Sequence, residues 1–120
     1  MIVSCAAANA TVDSMIDENM LSNCRARGEQ LTAGLTDLKN QFDIIADVRG
    51  KGLMIGVEFA DVKGLAGAVA RECEKRGLLV LPTGVHEAVR LIPPLTVTEE
   101  DMADALDVFA ASVRAAASAA

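Results

Sequence analysis

The hydrophobic period of this chain changes part-way along it, and that change limits what it can fold into. Leu21, Cys24, Gly28, Leu31, Leu35 and Leu38 step by 3, 4, 3, 4 and 3, with Asn23, Arg25, Arg27, Glu29, Gln30, Asp37 and Lys39 filling the other positions. This is one apolar stripe on an amphipathic helix over about residues 18–40. From Leu53 the period drops to two: Leu53, Ile55, Val57 and Phe59 alternate with Met54, Gly56 and Glu58. Strict alternation marks a strand with one covered face. The heptad-like seam at 21–38 covers too few repeats for a coiled coil, so core packing is the expected role, with a dimer face as the alternative.

The remaining segments fall between these signals. Residues 2–16 hold no Gly or Pro, and Val3, Ala6, Ala7, Ala10 and Ser14 recur at helical spacing; they predict a helix whose small-residue face seeks a partner. Ile44, Ile45 and Val48 predict a short strand, joined to 53–59 as a hairpin through the four residues Arg49-Gly50-Lys51-Gly52. A helix over 63–76 ends at Lys75-Arg76-Gly77, where cations suit the helix dipole and Gly suits the cap. The apolar run 78–81 predicts a buried strand, Pro82-Thr83-Gly84 a turn, and 88–92 another strand closed by Pro93-Pro94. Thr98 is the expected N-cap of a last helix, with Glu99, Glu100 and Asp101 in its first turn and Met102, Ala105, Leu106, Phe109 and Val113 on its apolar face. Residues 115–120 are expected to fray. The fold class that follows is α/β in the two-layer α+β sense: a small, mainly antiparallel sheet of about four strands covered by helices.

At 120 residues the chain has room for a single domain. It is 52 % hydrophobic with 2 % aromatics and neither Trp nor Tyr, so the core must be aliphatic. A net charge of −6 repels phosphate backbones and anionic membranes, and there are no aromatic platforms for bases; neither nucleic acid nor membrane is an expected partner. Cys5, Cys24 and Cys73 are odd in number and far apart, and His86 is the sole histidine, so no zinc site is expected. Unpaired thiols fit a reducing cytoplasm. Ile2-Val3-Ser4-Cys5 and Ala8-Asn9-Ala10 have the look of cleavage boxes, but no basic and apolar stretch precedes them; ordinary helix residues are expected.

Chemistry-bearing motifs are sparse. No serine stands in a GxSxG elbow, and neither phosphate-binding glycine fingerprint occurs. Arg49-Gly50-Lys51-Gly52 is basic enough to cradle an anion, though a plain turn is the expected role. His86 beside Glu87 is expected at the surface, and Cys24 and Cys73 in packing. Arg90 is the informative residue, lying inside a predicted strand between Val89 and Leu91. A strand arginine needs a partner if buried, and its planar fork suits a carboxylate. The partner is either a substrate carboxylate or an acid of the chain such as Glu58 or Glu87; exposure on an edge strand is the third possibility.

Two stretches carry a family resemblance. Val48-Arg49-Gly50-Lys51-Gly52-Leu53-Met54-Ile55-Gly56-Val57-Glu58 resembles the VRGxGLMxGxE segment of class-III pyridoxal-phosphate aminotransferases, the family of the acetylornithine, ornithine and 4-aminobutyrate enzymes. Gly77-Leu78-Leu79-Val80, then Val89-Arg90-Leu91-Ile92-Pro93-Pro94-Leu95 and Thr98-Glu99-Glu100, resemble that family's C-terminal motifs, and Ser4-Cys5-Ala6-Ala7-Ala8 is similar to a family helix start. The resemblance implies the C-terminal small domain of a fold-type-I enzyme. Residues 1–40 would be a helical segment joining a large domain, and 44–117 an αβ core.

The resemblance further implies amino transfer from an amino donor to a 2-oxo acid on pyridoxal 5'-phosphate, in a cytoplasmic homodimer. Arg90 aligns with the arginine that grips a substrate carboxylate, and Arg49 with a residue of structural role. Lys39, Lys51, Lys63 and Lys75 match no cofactor lysine, so the resemblance implies no catalytic or cofactor-binding residue here and no activity for these 120 residues alone. Val85-His86-Glu87-Ala88 departs from the family pattern before the arginine, which bears on substrate preference. The rival expectation is a free-standing module that binds a small amino acid through Arg90.

Overall fold

A computed structural model describes residues 1–60 and 62–119. The order is α1 (Ile2–Asp17), α2 (Met20–Gln41), β1 (Ile45–Lys51), β2 (Met54–Phe59), α3 (Leu65–Lys75), β3 (Leu81–Pro82), β4 (Ala88–Leu91) and α4 (Glu99–Ala119). The four strands form one antiparallel sheet in the order β1-β2-β4-β3. Its inner face carries Ile55, Val57, Phe59, Val89 and Leu91, all buried with Leu31, Leu35, Val69, Met102, Phe109 and Val113 of the helices in one cluster. The two-layer α+β architecture expected from the sequence is the one observed.

The α2 stripe behaves as core. Gly28, Leu31, Leu35 and Leu38 are buried, while Leu21 at the start of the seam stays exposed. Gly28 is needed for closeness: a Cβ there would stand 2.6 Å from the Gly52 carbonyl oxygen. Gly52 has φ +56 and turns the β1–β2 hairpin. By contrast α1 has no buried residue, and Val3, Ala6, Ala7 and Ala10 of its small-residue face are exposed. The chain bends between the two helices at Asn19, whose φ of 52 is a conformation Asn tolerates better than most residues.

Three local expectations need correction. The hairpin connection is Gly52-Leu53, not four residues, because Arg49, Gly50 and Lys51 continue β1 and Lys51 pairs with Met54. The run 78–81 is not a buried strand: only Leu81 and Pro82 pair with β4, and Leu79 is 82 % exposed. Pro82 has no N–H to donate, which suits an edge position. The C-terminal residues do not fray from 115. Helix α4 runs to Ala119, and Ala116 is buried because it extends the stripe of Met102, Leu106, Phe109 and Val113 by one more turn; residue 120 lies outside the described residues. The expected cap is present, with the Asp101 N–H donating to Thr98 Oγ1 at 3.1 Å and the Thr98 N–H returning to Asp101 Oδ2 at 3.3 Å.

Candidate carboxylate site on the open face of the sheet

Among the described residues no helix covers the outer face of the sheet. Register places Arg49, Gly56, Arg90 and Leu81 in one row across all four strands. In the next row Asp47 faces Glu58, which faces Ala88. β4 is an interior strand, so exposure at a sheet edge does not account for Arg90. Its side chain is nevertheless exposed, because residues 89 and 91 turn into the core and residue 90 turns out. Gly56 sends no side chain into the space between the two arginines, and a Cβ there would make only an ordinary 3.7 Å contact with the Arg49 oxygen.

The two arginines differ in their partners. Arg49 donates to Asp47 at 2.8 Å and to Glu58 at 2.5 Å. These bonds hold the Asp47 carboxyl below its ordinary range, with Lys39 at 3.6 Å adding to the effect, and raise the Arg49 guanidinium above its own. Arg90 has no ion pair among the described residues. The two acids weighed as its partners are engaged elsewhere: Glu58 by Arg49, and Glu87 by the N-terminus of α3. Glu87 accepts from the Gly64 N–H at 2.7 Å and the Ala66 N–H at 2.9 Å, which lowers its carboxyl from the usual value. That contact is a cap supplied from outside the helix, since the Gly64 N-cap has no side chain to offer.

The strand that carries Arg90 is fixed at both ends. Before it, Thr83 Oγ1 donates to the His86 carbonyl at 2.7 Å and the Phe59 N–H donates to the Glu87 carbonyl at 2.7 Å. After it, Asn23 Nδ2 donates to the carbonyls of Leu95 and Val97 at 2.8 and 2.9 Å. Arg27 adds an ion pair to Glu99 at 3.1 Å. The α2 helix thus clamps the segment leaving Pro93-Pro94.

Other sequence candidates are placed as follows. Arg49-Gly50-Lys51 lies in β1 and forms no loop that could cradle an anion. His86 is exposed in the β3–β4 connection, which borders a concavity of about 540 Å³ with Glu58, Lys63 and Thr83. Cys73 is buried, and burial raises its thiol. Cys24 is half-buried against the Gly52 turn. No group of His, Cys, Asp and Glu able to hold a metal occurs among the described residues, and none of their helices is long and apolar enough to cross a membrane. Sequence reasoning missed Asp47 and Gly56 as members of the site and assigned Glu58 only as a partner for Arg90. The parity of β1 and β2 put Asp47, Arg49, Gly56 and Glu58 on one face once the two-residue turn was known.

The sequence profile of the aminotransferase class-III family matches residues 2–113. The chain belongs to the class-III aminotransferases. It is 36 % identical over 109 residues to the acetylornithine aminotransferase of Synechocystis, covering 89 % of this chain and 25 % of that protein. An alanine/serine racemase of Pyrococcus horikoshii is also 36 % identical, over 115 residues, covering 91 % of this chain and 24 % of the racemase. Among solved structures, N-acetylornithine aminotransferase from Stenotrophomonas maltophilia superposes with a TM-score of 0.78 at 30 % identity, over 85 % of this chain and 28 % of that one. Acetylornithine aminotransferase from Elizabethkingia anophelis does so with a TM-score of 0.88 at 29 % identity, over 92 % and 29 %. This class-III aminotransferase chain therefore spans about a quarter of the length of the relatives it matches.

Proposed function

We propose that the chain is the substrate-gripping small domain of a pyridoxal-phosphate-dependent aminotransferase, and that Arg90 clamps a substrate carboxylate. The observation that carries this reading is the state of Arg90: exposed on an interior strand held at both ends, with no ion pair among the described residues while Glu58 and Glu87 are engaged elsewhere. A planar guanidinium held this way offers two parallel N–H donors to one carboxylate. Such a fork fixes the ligand's orientation as well as its position, and orientation is what the domain contributes to the rate. The names of several relatives favour an acylated ornithine as amino donor, with a 2-oxo acid as acceptor.

The cofactor, when bound, supplies the electron sink for amino transfer. The residues here do not by themselves fit it. No lysine matches the family's cofactor lysine, and no buried side-chain polar atom among the described residues lacks a partner that such a group would supply. We read residues 1–40 as the segment that joins the core to a larger domain. Helix α1 supports this by burying nothing, while Leu31, Leu35 and Leu38 tie the later turns of α2 to the 44–117 core. A cytoplasmic homodimer completes the proposal, in keeping with three unpaired thiols.

The test is steady-state kinetics of the native-length polypeptide that carries this sequence, with pyridoxal phosphate, N-acetylornithine and 2-oxoglutarate. We expect glutamate to form, and Arg90→Ala to lower kcat/KM about 10- to 100-fold, as loss of a charge-assisted hydrogen bond does. Unchanged kinetics in the variant would remove Arg90 from substrate binding. Racemisation of an amino acid without transfer would place the protein with the racemase instead.

A further inference from the structure

Glu58 stands between two arginines. Its direct neighbours across the strands are Asp47 on one side and Ala88 on the other. Arg49 and Arg90 are therefore its two diagonal neighbours, two residues further along β1 and β4 on the same face. Diagonal Cβ atoms on an antiparallel face lie roughly 7–8 Å apart, within reach of a Glu and an Arg side chain. The row between the arginines holds only Gly56, so no side chain there blocks Glu58 from either one. In the structure Glu58 pairs with Arg49 at 2.5 Å, and Asp47 occupies the same guanidinium nitrogen at 2.8 Å.

We infer that Arg49 is a positioning residue for carboxylate binding: by holding the Glu58 carboxylate it keeps that carboxylate off Arg90, which stays open to substrate. The inference rests on the reading of Arg90 given above. Two features support it beyond the contact itself. Glu58 is the acid nearest to Arg90 in the register, and a carboxylate on the chain competes at very high local concentration with one in solution. Arg49 is also kept in place by a second acid, Asp47, which in turn is paired with Lys39 at 3.6 Å. The network Lys39–Asp47–Arg49–Glu58 thus ends one strand short of Arg90.

The arithmetic is that of a partly occupied site. If Glu58 sat on Arg90 in two-thirds to four-fifths of molecules, apparent affinity would fall about three- to fivefold, the range open to an exposed ion pair. The experiment is a double-mutant cycle in the native-length enzyme. Arg49→Met is expected to raise KM for the carboxylate substrate about three- to fivefold with kcat within about twofold, and Arg49→Met with Glu58→Gln to return KM to within about twofold of the parent. Calorimetric titration with glutarate, which cannot react, should show the same rise and recovery in Kd. Arg49→Lys, a single-headed cation that keeps the charge, should give a smaller rise and serves if the Met variant fails to fold.

An unchanged KM in both Arg49 variants would overturn the inference. So would a raised KM that Glu58→Gln leaves raised, since Arg49 would then act through substrate contact or through the fold. Failure of the underlying reading is separately visible, because Arg90→Ala would then leave glutarate binding unaltered in the parent.

Discussion

Val57 and Glu58 are neighbours in the chain, yet Val57 is fully buried beneath the helices while Glu58 is held in an ion pair on the uncovered side. The same contrast separates Val89 from Arg90. The inner face is apolar, continuous with α2, α3 and α4, and makes the fold. The outer face carries charge in a fixed register and makes the candidate site. A strand delivers both because its side chains alternate. The lesson is that substitutions one position apart should fail in different ways: inner ones in stability, outer ones in binding.

The sharpest way to break the core under the inner face is at its largest fully buried side chain, Phe109 of α4. Phe109→Ala is expected to cost about 3–5 kcal/mol in a urea titration, because truncating a fully buried aromatic leaves a cavity behind. A result under about 1 kcal/mol would mean that α4 is not the lid of the core. Next comes the contact of α2 with the hairpin turn. Gly28→Ala drives a methyl group to within 2.6 Å of a backbone oxygen and should cost about 1–3 kcal/mol, although Ala is the better helix former. A stabilised variant would show that this approach is looser than described.

Acid should act on the outer and peripheral groups before the core. Asp47, Glu87 and Asp101 are lowered from their ordinary values, and Glu72 is lowered to about 2 by Arg76 and Lys75. A carboxylate whose folded value is depressed stabilises fully above its unfolded value, and the contribution is lost as pH falls through the folded one. Melting temperature should therefore hold down to roughly pH 5 and decline steadily towards pH 2. A melting temperature that rises over this interval would contradict the assigned ion pairs. The smallest stability effect belongs to the site itself: Arg90→Ala should change unfolding free energy by no more than about 0.5 kcal/mol, since its exposed side chain makes no ion pair with the described residues.

Much of this was legible in the sequence. The stripe from Leu21 to Leu38 places α2 within a residue or two of its observed span, and the alternation from Leu53 to Phe59 places β2. Thr98 and Asp101 cap α4 as their types and spacing require. Legibility ended where a segment's fate depends on its neighbours. The apolar run 78–81 looks buried along the chain, but only Val80 is buried, because an extended segment turns alternate residues outwards. Alanines 115–117 favour helix by propensity, but nothing local shows that α4 docks far enough along the core to bury Ala116.

Arg90 was legible as an arginine that needs an explanation, and the resemblance supplied a role. Its surroundings were not legible. Gly56 and Arg90 pair across more than thirty residues of chain, so nothing local reveals that they face each other or that Glu58 is diagonal in the register to both Arg49 and Arg90.

The most direct test of the central claim is equilibrium binding of glutarate to the native-length protein and to its Arg90→Ala variant, by calorimetry at low ionic strength. The account predicts saturable binding by the parent and a Kd raised about 10- to 100-fold in the variant, with the melting temperature unchanged. Equal affinity in the two proteins would contradict it, and would leave the open face of the sheet without the role assigned to it.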